Sequence, residues 1–156
     1  MKIEGTYQIH APRDRVFSAI IDPEVLQKCI PGCELLEKTG VDEYAATMKA
    51  GVGSVKGTFK GDVHLRGMRP PDHYELSVSG KGGPGFVKGT AIFELEEVDA
   101  STMINYSGEM QVGGIIAGVG QRMIEAAAKM MAGKFFAALE RELSGSVEYP
   151  STISTS

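Results

Sequence analysis

Few residues in this chain are of a type that does chemistry, and their spacing is the first thing to weigh. Cys29 and Cys33 stand four apart around Pro31-Gly32. A zinc site needs about four ligands, and His10, His64 and His73 fall in three separate segments, none paired at ligand spacing. The two thiols therefore read as a helix end with one buried sulfur, and a disulfide is disfavoured in a reducing cytoplasm. His64 has the right chemistry for a general base. In the alternating run from Val55 to Leu65, however, it falls with Lys60 and Arg66 on the outward side. Glu94, Glu109 and Asp62 also fall on outward faces. No Ser-His-Asp set, nucleophile elbow or pair of carboxylates is visible. Gly80-Lys81-Gly82-Gly83-Pro84-Gly85 lacks the spacing of a phosphate loop and precedes a strand, so it reads as a hairpin turn. Gly113 to Gly120 opens a helix but is apolar. It reads as a packed linker, with a flexible lid or membrane-touching loop as the other reading.

What remains is apolar space with a few hydroxyls. Strands alternate through Ile3 to Ile9, Tyr44 to Ala50, Val55 to Leu65, Tyr74 to Val78, Val87 to Leu95 and Thr102 to Val112, each with one apolar face. A further strand is expected at 34–39. Pro12 suits the first turn of a helix carrying Val16, Phe17 and Ile20, and Asp22-Pro23-Glu24 is a capped start of a second short one. Residues 119–143 contain no proline and are rich in Ala, Met, Glu, Lys and Leu, which predicts one long helix. Its inner side is expected to hold Gly120, Met123, Ile124, Ala127, Met131, Phe135 and Ala138. Strand, two short helices, an antiparallel meander and a long C-terminal helix make an α+β domain of six or seven strands. That domain spans 1–144, and 145–156 is expected to be a flexible tail.

Small residues on that helix face Gly57, Gly61, Gly89 and Ala91 on the strands, and side chains that small leave room which close packing ordinarily removes. The expected lining of the resulting cavity is Tyr44, Met48, Phe59 and Val63, then Tyr74, Leu76, Ala91 and Phe93. Tyr106, Met110, Met123, Ala127, Met131 and Lys134 complete it. The three tyrosines could orient an apolar guest and Lys134 could meet a polar head. Packing in the core, or a lysine turned outward, is the plainer reading of each.

The bulk numbers agree with a folded soluble domain. Of 156 residues, 42% are hydrophobic and 23% charged, which excludes a disordered chain. Sixteen Lys and Arg against twenty Asp and Glu give a net charge of -4, so a nucleic-acid partner is not expected. No apolar run of about 18 residues is present for a membrane-spanning helix. The sequence enters patterned structure at Met1-Lys2-Ile3, without a signal-peptide pattern, so the chain is expected in the cytoplasm.

Several stretches together resemble the CoxG family of carbon monoxide dehydrogenase, within the START / Bet v 1-like (SRPBCC) superfamily. They are Gly5-Thr6-Tyr7-Gln8-Ile9, Ala11-Pro12 with Val16-Phe17, Asp22-Pro23 and Cys29-Ile30-Pro31-Gly32-Cys33-Glu34. Val52-Gly53-Ser54-Val55-Lys56-Gly57 and the glycines from Gly113-Gly114 to Gly120 complete the likeness, which runs from residue 1 to about 144. It implies a helix-grip fold, a curved antiparallel sheet wrapped around the long helix over a hydrophobic cavity. It further implies a non-catalytic accessory protein that binds a quinone or lipid, carries no cofactor, and assists a molybdenum hydroxylase of the CO dehydrogenase type. Recruitment of that enzyme to the inner face of the cell membrane is part of the same implication. Family members that anchor themselves carry an extension beyond the domain; here the chain runs to Ser156, so membrane contact is expected to be transient. Two other readings stay open. One is an interaction or maturation module for an oxidoreductase with an incidental cavity. The other is a cyclase- or hydrolase-like enzyme, which needs an interior proton-transfer group that the sequence does not display.

Overall fold

The computed structural model describes the backbone of residues 1–155 and the side chains of residues 1–144. The elements run β1 (Lys2–Ile9), α1 (Arg13–Ile20), α2 (Pro23–Cys29), β2 (Cys33–Gly40), β3 (Glu43–Val52), β4 (Val55–Arg69) and β5 (His73–Gly82). They continue through β6 (Gly85–Val98), β7 (Ser101–Gly113), a 3₁₀ segment (Ile115–Val119) and α3 (Gln121–Thr155). The expected α+β helix-grip architecture is what forms. Seven antiparallel strands make one sheet in the order β1-β7-β6-β5-β4-β3-β2, with the first part of α3 lying against it.

Local chemistry sets the element boundaries. Asp22 caps α2, its Oδ1 accepting from the Glu24 N–H at 3.0 Å, with Pro23 in the first turn. The β6–β7 hairpin closes through Asp99 and Ala100 at φ 51° and 66°, the left-handed pair that a two-residue turn requires. The long helix starts two residues later than the sequence suggests. Gly120 takes φ 98°, which no helix accommodates, and the apolar stretch before it winds into the 3₁₀ segment instead. The tail expected at 145–156 lies outside the residues whose side chains are described.

The core occupies one end of the sheet. An aromatic chain crosses it. Tyr7 stacks on Phe136 at 5.3 Å, Phe136 meets Tyr106 at 5.6 Å, Tyr106 meets Phe93 at 6.1 Å, Phe93 stacks on Tyr74 at 4.6 Å, and Phe17 meets Tyr74 edge-on at 5.8 Å. Each contact adds to the area it buries. Ile9, Val16, Ile104 and Leu139 are fully enclosed around it. Buried polar atoms at this end find partners: the Thr102 hydroxyl donates to the Ala11 carbonyl at 2.8 Å, and the Tyr44 hydroxyl to that of Ile21 at 3.3 Å.

His73 is the buried imidazole of the domain, 6% exposed. Its Nε2 lies 3.0 Å from Glu75 Oε2 and its Nδ1 2.9 Å from Glu94 Oε1, while Arg69 opposes it across the strands. The hydrogen bond to Glu75 does most to raise its pKa, and Glu94 adds to this; burial and Arg69 pull the other way. A raised folded-state pKa stabilises the protein below the unfolded value near 6.5, and that contribution fades as pH climbs through the raised value. Urea denaturation at successive pH values should therefore show the advantage of the native chain over His73→Gln largest below about pH 6.5. The advantage should shrink steadily on the alkaline side.

Candidate functional site

Along the strands the inward-facing rows change character. The cross-strand register aligns Tyr74, Phe93 and Tyr106 in one row, opposite Gly5. A Cβ at Gly5 would lie 2.5 Å from the Tyr106 hydroxyl oxygen, so only glycine fits beneath that ring. Two rows further, Tyr44, Val63, Val78, Gly89 and Met110 align. The next row is Ala46, Gly61, Gly80, Val87 and Val112. Side-chain volume thus falls away toward the end of the sheet that carries the β3–β4 and β5–β6 hairpins. Across from those rows α3 presents Ile124, Ala127, Ala128 and Met131, which are too small or too pliable to fill the gap.

The result is a cavity of about 340 Å³ between sheet and helix. Met48, Phe59, Val63, Met110, Ala127 and Met131 stand on its wall, together with Ala46, Val78, Val87 and Ile124. Ile116 of the 3₁₀ segment, 5% exposed, also forms part of the wall, and its N–H donates to the Pro84 carbonyl at 2.8 Å. A second hollow of about 170 Å³ adjoins it, sharing Val78, Met110 and Ala128 and reaching Leu76, Ala91 and Tyr106. Asp62 and Ser79 are on the wall of the larger hollow, where Gly61 and Gly80 leave the sheet without side chains. Their register positions belong to the outward rows.

The remaining residues expected at the cavity sit elsewhere. Tyr44, Tyr74 and Phe93 belong to the solid core. Burial pushes the Tyr44 phenol up, helped by Asp42 and Asp22, and burial alone pushes Tyr74 far up. Neither hydroxyl is poised to release a proton. Met123 is 47% exposed and Lys134 is exposed. The buried stripe of α3 turns around the helix as it advances, from Ile124, Ala128 and Met131 to Phe136, Leu139 and Leu143. At about 100° per residue, Met123 and Lys134 lie roughly a quarter-turn to the side of the cavity-facing line. Phe136 and Leu139 escape a sequence reading that draws a single straight stripe through Phe135 and Ala138. Ala128 and Ile116 escape it too, and their signal is faint: a small residue one position from Ala127, and an isoleucine in an apolar linker.

Both cysteines are free thiols. Burial raises Cys29, with Glu142 acting in the same sense, and burial raises Cys33, opposed by its contact with the Leu35 carbonyl. Neither is an activated nucleophile. His64 faces outward beside Glu43, 3.2 Å away. No three His, Cys, Asp or Glu side chains among the described residues come together as metal ligands. No helix among them is long and apolar enough to cross a membrane.

The family model for CoxG of carbon monoxide dehydrogenase matches residues 5–144. A conserved protein of Geobacillus kaustophilus is 35% identical, superposes with a TM-score of 0.90, and the match covers 94% of this chain and 97% of that one. A START superfamily protein of Mycobacterium smegmatis shares the fold at 14% identity, TM-score 0.68, with 92% and 97% of the two chains covered. No curated protein matches the sequence.

The two halves of the helix should respond differently to truncation. Leu139→Ala empties a packed site and is expected to cost about 2–5 kcal/mol. Met131→Ala borders space that is already vacant and should cost less than half as much. Urea denaturation of the two variants, with the slope checked for constancy, measures the contrast.

Proposed function

We propose that this chain, which belongs to the CoxG family of carbon monoxide dehydrogenase, is a non-catalytic carrier that holds a quinone- or lipid-like molecule between sheet and helix. The observation that carries this reading is the 340 Å³ hollow, walled mostly by aliphatic, thioether and aromatic side chains and bare glycine backbone, with Asp62 and Ser79 as its polar members. Pockets of roughly 300–1,000 Å³ with apolar walls are the usual size for small-molecule sites. Burying about 300 Å² of apolar surface gains on the order of 7 kcal/mol at 25 cal/mol per Å², before the cost of ordering. Such binding needs no charge, and the wall offers none of the paired, perturbed groups that proton transfer demands. The Tyr106 ring lines the adjoining hollow.

Membership of that family supports a partner of the CO dehydrogenase type, a molybdenum hydroxylase. On this reading the metal chemistry belongs to the partner, and this chain supplies or removes a water-insoluble redox or lipid molecule. It works in the cytoplasm, beside that enzyme, with transient contact at the inner face of the cell membrane.

Native mass spectrometry of the purified chain, and organic extraction of it, test the proposal. The expected result is a bound quinone or lipid in the native chain and its loss in Ala128→Phe, whose ring intrudes where the two hollows meet while the circular dichroism melt persists. A native chain that stays empty when offered dispersed menaquinone, or an Ala128→Phe variant that binds it equally well, sinks the carrier reading.

A further inference from the structure

The two hollows under α3 lie in one line along the strands. Register orders the inward rows of β5, β6 and β7. Tyr74, Phe93 and Tyr106 form the first, and Leu76, Ala91 and Gly108 the second. Val78, Gly89 and Met110 form the third, and Gly80, Val87 and Val112 the fourth. The smaller hollow lies over the second row and reaches the Tyr106 ring, while the larger lies over the fourth. On the sheet side, the third row is what stands between them.

That row is an incomplete wall. Its middle member is Gly89, where a Cβ would sit 2.9 Å from the Glu109 carbonyl oxygen, so the close approach of the strands keeps any side chain out. Val78 stands on one side of this gap and Met110 on the other, and each lines both hollows. Across from them α3 presents Ala128, which also lines both. Met110 is the long side chain of the row. Its backbone is fixed, paired with Gly89 and donating its N–H to the Met1 carbonyl at 2.8 Å. Its side chain is unbranched at Cβ and turns about three bonds, so it swings aside at little cost.

We propose that Met110 is the gate between the two hollows and the residue that sets guest specificity. The wider part of a guest fills the larger hollow, and its hydrocarbon chain passes over Gly89 into the smaller one, to end against the Tyr106 ring. This rests on the carrier reading for there being a guest, and adds the shape that the guest must have. From Val112 to Tyr106 is about 20 Å at roughly 3.4 Å per residue, a length that suits an elongated chain-bearing molecule and not a compact ring system. The chain meets apolar walls along that path: Val78, Met110 and Ala128 at the gate, then Ile3, Leu76 and Ala91 beyond it. Thr90 and Glu109 border the smaller hollow from outward rows, where Gly89 and Gly108 leave the sheet bare.

The test is a chain-length series. Straight alcohols from hexanol to hexadecanol, and the isoprenoid alcohols geraniol, farnesol and geranylgeraniol, are titrated against the full chain, with displacement of anilinonaphthalene sulfonate as the readout. In the native chain affinity should rise about fourfold per added methylene and level off only when the smaller hollow is full. Ala91→Leu fills that hollow. Met110→Ile keeps a similar volume but is stiff at χ1, and holds the gate shut. Both variants should bind the shortest alcohols as the native chain does, level off several methylenes earlier, and bind the longest roughly tenfold or more weakly. Urea midpoints of the two check that each is folded, and either one alone decides the matter. A variant-sensitive plateau with straight alcohols assigns an acyl chain, and one with isoprenoids a prenyl tail; both support the passage. The same plateau in native and variant chains overturns the passage and leaves a carrier with one chamber. Displacement by no alcohol, from a chain that still takes up dispersed menaquinone, also overturns it. Failure of both alcohols and menaquinone overturns the carrier reading itself.

Discussion

Everything distinctive in this domain follows from how side-chain volume is distributed along a single apolar face. The aromatic chain from Tyr7 through Phe136, Tyr106 and Phe93 to Tyr74 holds sheet and helix together at one end. With that end clamped, α3 keeps a fixed separation from the strands. At the other end Gly61, Gly80, Gly89, Ala127 and Ala128 cannot bridge that separation. Neither half explains the hollow alone: small residues without the clamp would let the layers close on each other.

The polar groups obey the same division. Thr102 and Tyr44 are buried where the core is solid, each with a partner that offsets its loss of water, and His73 is covered on the outward face of the sheet between Glu75 and Glu94. The hollow end has no comparable buried polar network among the described residues. It carries its charge on the outward face instead.

Much of this is legible in the amino-acid sequence. Period-two alternation identifies the strands and which side of each faces inward, and the inward rows of β4 to β7 are those that Val55 to Val112 announce. Asp22-Pro23 marks a helix start to the residue. Alternation does not say how far along a strand a residue sits relative to its neighbours. That is why Tyr74 and Phe93 read as cavity residues and lie in the core, whereas Tyr44 shares a row with Val63, Val78 and Met110 and is buried with its hydroxyl on the Ile21 carbonyl. Strand register supplies the missing coordinate. The misplacement of Met123 and Lys134 has a similar origin: a straight helical stripe ignores that the two ends of α3 face different neighbours. His73 is invisible in the sequence as a buried group because its burial depends on Glu75 and Glu94 closing over it from adjacent positions.

The strand order carries a consequence for how the chain comes to be made. β1 and β2 are separated by only two short helices, yet they occupy opposite edges of the sheet. Six strands from β2 to β7 can zip as successive hairpins as they leave the ribosome. β1 emerges before any of them and pairs with the last, Thr6 reaching Asn105 across 99 positions. Closure of so long a loop is the slow kind of contact. The first strand synthesised must stay unpaired until the meander is complete, and only its arrival brings Tyr7 against Phe136.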